Sequence, residues 1–155
     1  AEIAFVLNED LRGPGIRKED VISVTEKIFP CFEIVDSRIN NWQIKIQDTI
    51  ADNASCGVFL LGDGFNYQND YELDKLEVKV SKNGEHLSSG YGSAVQGHPA
   101  EAVAWLANTL GKYNIPLLKG EIILSGSLVP LEPAIAGDHF YMELIGIGDC
   151  EVYFS

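Results

Sequence analysis

The sequence predicts an α+β domain with a mainly antiparallel or mixed β core, and three observations predict it. Short apolar, strand-like runs recur along the 155 residues. Helical spacing appears only in separated stretches, not once per strand as in a doubly wound sheet. Asn83-Gly84 lies between two alternating runs and marks a tight hairpin, since both turn residues then need positive φ.

Each element follows in order. Residues 3–7 (IAFVL) read as a strand closed by Asn8-Glu9-Asp10. Residues 8–16 hold Gly13, Pro14 and Gly15 and read as a loop. Residues 18–28 carry Val21, Ile22, Val24 and Ile28 at helical spacing, with acids near the start, so they predict a helix ended by Pro30. Residues 31–35 predict a short strand, and residues 47–54 a short helix. Residues 58–61 (VFLL) predict a buried strand, and residues 63–72 a polar loop. Residues 76–80 and 85–91 form the two arms of the hairpin. Pro99 suits a first helical turn, where its missing N–H costs nothing. Ala102, Val103, Leu106, Ala107 and Leu110 then give one apolar face up to Gly111. Residues 121–124, 139–144 and 151–154 predict the closing strands. Gly146-Ile147-Gly148 lacks the third glycine and the following helix of a dinucleotide fingerprint.

Composition narrows the function. The net charge is −12, from 11 basic and 23 acidic residues. That balance excludes a nucleic-acid binder, which needs clustered Lys and Arg. No apolar run approaches the roughly 20 residues of a membrane span, so no membrane partner is expected. Cys31, Cys56 and Cys150 form no CxxC pair. They read as buried, reduced thiols of a cytoplasmic protein.

Two carboxylates stand in apolar strand runs: Glu2 in AEIAFVL and Glu33 in CFEIV. An ionised carboxylate there needs a partner, because desolvation is costly. A hard divalent cation is one such partner. An outward-facing strand position, or pairing with Arg38 or Lys45, is the other reading. Residues 47–57 (QDTIADNASCG) place Asp48, Asp52, Asn53 and Ser55 ahead of a strand. They suit an oxygen-rich ligand, and equally suit capping and turn roles. Ser125-Gly126-Ser127 offers hydroxyls and N–H groups to a carboxylate, or is a glycine turn. His98, just before Pro99, reads as a helix cap. No GxSxG elbow supports a serine hydrolase.

Taken together, AEIAFVL, PCFEIVDSRINNW, QDTIADNASCGVFLLG, GHPAEAVAWLANTLG, GEIILSGSL and AGDHFYMELIGIGDCEVYFS resemble the 2-oxopent-4-enoate (2-hydroxypenta-2,4-dienoate) hydratases of the fumarylacetoacetate hydrolase superfamily. The resemblance covers essentially the whole chain and implies a mixed β-roll or barrel-like core with a few short helices. It implies a Mg²⁺ or Mn²⁺ cofactor and water addition to a 2-oxo-enoate in aromatic meta-cleavage degradation. A 4-oxalocrotonate decarboxylase-type lyase, or a truncated non-catalytic domain, is the alternative. By resemblance Glu2 and Glu33 are metal ligands, and Asn53 and Ser55 line the substrate pocket; Ser125, from the SGS turn, is the further substrate-binding candidate. Lys45 and Asp48 are the proton-transfer candidates within the chain. The family's metal site uses a Glu-x-Glu pair, whose first Glu falls one position before Ala1. Residues 1–155 therefore read as the C-terminal catalytic-type part of a longer chain, lacking the family's N-terminal region and its Lys. A homo-oligomer is expected, with the strand at Ala1 as an open edge available to another subunit.

Overall fold

The computed structural model describes residues 1–67 and 71–155. The expected polar loop at 63–72 therefore lies partly outside the described residues. Two antiparallel sheets carry the fold. The first is ordered β3-β2-β1-β7, with β4 also on β2, and the second β6-β5-β8-β9. Their strands are β1 Glu2–Leu7, β2 Thr25–Val35, β3 Cys56–Leu61, β4 Phe65–Asn66, β5 Glu77–Lys82, β6 Glu85–Tyr91, β7 Ile122–Leu124, β8 His139–Leu144 and β9 Gly148–Tyr153. Helices α1 Lys18–Val24, α2 Ile46–Ala51 and α3 Pro99–Gly111 complete it. The predicted α+β class is borne out. Among the described residues no helix is long and apolar enough to cross a membrane.

β1 lies inside its sheet. It pairs with β2 on one side (Glu2↔Cys31, Phe5↔Ile28) and β7 on the other (Ala4↔Leu124). The expected open edge at Ala1 is thus corrected: both flanks of this strand are already paired. Ile3, Ala4, Phe5 and Leu7 are fully buried, so both faces of the strand are covered. That explains an apolar run without alternation. Burying a side chain such as Phe5 stabilises by roughly 1.5–3 kcal/mol. The core joins Phe5, Ile28 and Phe32 of the first sheet to Val78, Val80, Met142 and Leu144 of the second.

The predicted helix at 18–28 stops at Val24. Asp20 does start it, accepting the Arg17 N–H at 2.8 Å. The Thr25 hydroxyl closes it, donating to the Val21 carbonyl at 2.8 Å. β-Branched Val21, Ile22, Val24 and Thr25 weaken helix and favour strand. Pairing with β1 then decides the state of residues 25–29. Pro30, expected to end a helix, sits mid-strand in β2. Its carbonyl accepts the Gly62 N–H at 2.9 Å. A strand residue's N and C=O point the same way, so the Pro30 nitrogen faces the seam between β4 and β3. A missing ladder donor is tolerated there.

β3, expected to be buried, is an edge strand with Val58 and Phe59 exposed. The hairpin forms as predicted, with Asn83 at φ 54° and Gly84 at φ 84°. It is pinned to the start of β8. Asn83 Oδ1 accepts the His139 N–H (2.8 Å), and its Nδ2 donates to Asp138 (2.9 Å). Lys82 adds an ion pair to Asp138 at 2.8 Å. β9 begins at Gly148, three residues earlier than expected. His98 caps α3 as expected, its Nδ1 accepting the Ala100 N–H at 3.1 Å.

Candidate metal and substrate site

Strand pairing brings the two singled-out carboxylates together. Glu2 stands opposite Cys31 in the β1–β2 register, and Glu33 is two residues further along β2. Alternation puts Glu2, Cys31 and Glu33 on one face of the sheet. Glu2 is only 3% exposed, which removes the outward-facing reading for it. Its Oε2 accepts the Gly126 N–H at 2.8 Å, and the Glu33 carboxyl adjoins it. Burial pushes Glu2 up to about 7; the Gly126 N–H pulls the other way, and the adjoining Glu33 charge adds to the rise. Arg38, the suggested alternative partner, instead pairs with Asp52 at 3.4 Å.

Cys31 and Cys56 adjoin the pair, and Cys150 lies near Cys31. Cys31 is pushed up to about 12, by burial first and then by the Glu2 charge. Cys56 is also raised, by burial and by its hydrogen bond to Glu33. Cys150, raised by burial, directs its thiol to the Leu60 carbonyl. All three are free: Cys31 and Cys150 are buried, Cys56 half-buried.

The serines expected to touch substrate are closed in. Ser125 and Ser55 are 5% and 1% exposed, and neither Oγ has a hydrogen-bond partner. Ser125 directly precedes the glycine that holds Glu2. Ser55 ends a run of three left-handed residues, Asn53 (φ 52°), Ala54 (φ 57°) and Ser55 (φ 58°). A non-glycine residue costs roughly 1–2 kcal/mol in that conformation, so tertiary contacts hold this turn. One is the Asp36 N–H donating to the Ser55 carbonyl at 2.8 Å. Asn53 itself is exposed.

Lys45 and Asp48 are not brought to the carboxyl pair. Both belong to the start of α2, where the Lys45 N–H donates to the Asp48 carboxylate at 2.9 Å. Lys45 is exposed, and neither residue lines the adjacent cavity.

That cavity, about 640 Å³, opens between the sheets and is bordered by Glu33. Phe32, Ile34, Val80, Leu87, Phe140 and Phe154 supply apolar wall. Its charged lining residues are Glu33, Asp36 and Glu132, all acids. Sequence reasoning missed Gly126 as the group that orients Glu2, although the SGS turn was its signal. It also missed Ser88, a lining residue that only strand alternation pointed inward.

The donor set suits a hard divalent cation. Its atoms are carboxylate oxygens, and one is buried where charge is costly without a counter-ion. Among the described residues no group of three or more His, Cys, Asp or Glu is placed to hold a metal. Glu2 and Glu33 are the two carboxylates that the strand register brings together.

A family model described as fumarylacetoacetate (FAA) hydrolase C-terminal matches residues 1–154. The chain belongs to the fumarylacetoacetate hydrolase family. Among its relatives, a 2-hydroxyhexa-2,4-dienoate hydratase of Comamonas testosteroni is 60% identical over 154 residues, covering 99% of this chain and 58% of the relative. A 2-hydroxypent-2,4-dienoate hydratase of Pseudomonas putida is 55% identical over 114 residues, covering 74% of this chain and 51% of the relative. The chain thus spans little more than half the length of these hydrolase-family relatives. A solved structure of 4-oxalocrotonate decarboxylase from Pseudomonas putida G7, complexed with magnesium and adipate, superposes with a TM-score of 0.95 at 34% identity. It covers 99% of this chain and 59% of that one.

Proposed function

We propose that residues 1–155 form the metal- and substrate-binding part of a hydratase. The reaction adds water to 2-hydroxypenta-2,4-dienoate, or its short alkyl homologue, and gives a 4-hydroxy-2-oxo acid. The observation that carries the reading is the Glu2–Glu33 carboxyl pair, whose buried Glu2 adjoins a Glu33 that borders an apolar cavity. The 60% identity to a dienoate hydratase supports it.

Glu2 and Glu33 would hold the divalent cation, Mg²⁺ or Mn²⁺. When bound, such an ion supplies Lewis-acid polarisation of the substrate's 2-oxo oxygen. The chain's own groups do the rest. The Gly126 N–H fixes the rotamer of Glu2, so the carboxylate is oriented before any ligand arrives. Ser125 and Ser55 keep unpartnered hydroxyls but are closed in and do not line the cavity, and Asn53 is exposed beside Ser55, so we assign direct substrate contact to none of the three. The apolar wall packs the hydrocarbon tail. Asp48 accepts the Lys45 backbone N–H at the start of α2, the Lys45 side chain is exposed, and neither residue lines the cavity, so we assign the proton to neither. The same reading expects a cytoplasmic homo-oligomer acting in aromatic meta-cleavage degradation.

The decarboxylase chemistry of the structural neighbour is the second reading. A 2-oxo-enedioate carries a further carboxylate, and the acids Asp36 and Glu132 around the cavity repel it. That favours the hydratase. The test uses the natural full-length protein with Mg²⁺. Loss of dienol absorbance with formation of 4-hydroxy-2-oxopentanoate, abolished by Glu33→Gln, is expected. Release of CO₂ from 4-oxalocrotonate without hydratase activity would transfer the protein to the second reading. Neither activity, with Mg²⁺ and Mn²⁺ both tried, would refute both.

A further inference from the structure

Ser88 is the cavity residue that the reading above does not use. It sits on β6 opposite Val80, and cross-strand partners share a face. Val80 is 3% exposed and belongs to the core, and both residues line the cavity. A serine therefore occupies a row where an apolar side chain would pack. Its Oγ is closed off and has no hydrogen-bond partner, an arrangement that costs free energy and gives the fold nothing back. Rotation about χ1 carries a serine hydroxyl between staggered positions, so a ligand oxygen in the cavity can recover that cost. Among the described lining residues Ser88 carries the one hydroxyl. The acids nearby can only accept when ionised, whereas a hydroxyl both donates and accepts.

Position says which ligand oxygen it meets. The carboxyl pair stands on the first sheet and would anchor the 2-oxo acid end. Ser88 stands on the second sheet, across the cavity. We propose that Ser88 is a specificity-determining residue whose hydroxyl hydrogen-bonds the oxygen at C4 of the 4-hydroxy-2-oxo acid. This rests on the hydratase reading.

The experiment compares two ligands on the natural full-length protein with Mg²⁺, by titration calorimetry. 4-Hydroxy-2-oxopentanoate carries the C4 oxygen, and 2-oxopentanoate lacks it. The wild type is expected to bind the hydroxylated acid about three- to tenfold more tightly, the worth of one hydrogen bond. Ser88→Ala and the near-isosteric Ser88→Cys should bring that ratio close to one. Affinity for 2-oxopentanoate should stay at the wild-type value and the Tm should not fall, whereas loss of a merely structural contact would lower the Tm. A ratio preserved in Ser88→Ala, or a wild type that binds both acids equally, overturns the assignment of Ser88 alone. A wild type that binds neither acid instead overturns the hydratase reading itself.

Discussion

Replacing Glu2 by Gln isolates the electrostatic cost built into the site. Glu2 lies at about 7 in the fold against an ordinary 4.5. A group that binds its proton more tightly when folded lends stability that is complete below 4.5 and lost as pH climbs through about 7. At about 1.4 kcal/mol per pH step, that separation amounts to about 3 kcal/mol by pH 8. Gln keeps the length of the side chain and an oxygen to accept the Gly126 N–H, and it has no charge to desolvate. In metal-free protein the variant should match the wild type near pH 4.5. It should exceed it by about 3 kcal/mol at pH 8. Urea unfolding at half-unit pH steps reads this directly, with equal slopes confirming that only stability changed. Millimolar Mg²⁺ should raise the wild type at pH 8 and leave Glu2→Gln unmoved. A stability difference independent of pH would refute the reasoning, because it would mean that Glu2 is solvated or permanently paired.

Three further perturbations test the frame around the site. Asn108 on α3 takes the N–H groups of Gly15 (2.7 Å) and Ile16 (2.8 Å) and donates to the Ile16 carbonyl (2.7 Å), clamping the loop after β1. Asn108→Ala should cost about 2–4 kcal/mol in urea unfolding, and Asn108→Asp, which keeps the acceptor, less. Asp138 is held down to about 2 by Lys82 and by the Ile135 and Asn83 N–H groups. Its depressed value gives stability that is present above 3.8 and lost as pH falls toward 2, so Asp138→Asn should flatten the acid limb of a Tm-versus-pH curve. A Cβ on Gly62 would lie 1.9 Å from the Asp149 carbonyl oxygen. Gly62→Ala should therefore destabilise by about 1–3 kcal/mol through forced separation of β3 from β9. An unchanged thermal midpoint would show that the contact is loose.

The residues that were misread and those that were read well differ in where their information lies. Asn83-Gly84 and Pro99 set their own backbone, through positive φ and a missing N–H, so hairpin and helix α3 were legible from a few letters. Residues 25–29 have helical spacing and β-branched side chains at once. A neighbour 20 residues away in sequence, β1, settles that conflict by pairing. Pro30 looked like a breaker because its ladder partner is invisible in the sequence; at the seam between β3 and β4 it breaks nothing. Residues 58–61 looked buried because hydrophobicity does not tell an edge from a centre.

For the site, the sequence by itself determined which groups were out of place. A carboxylate in an apolar strand is anomalous wherever that strand lies, so Glu2 and Glu33 stood out unaided, as did the SGS turn. Only the tertiary structure decided that the two carboxyls meet, that Gly126 orients one of them, and that Lys45 and Asp48 cap a helix instead of joining them. The physical reason is range. Turn chemistry and desolvation are properties of a residue and its immediate neighbours, whereas a shared site depends on strand register between segments some 30 and 120 residues apart, which no local pattern encodes.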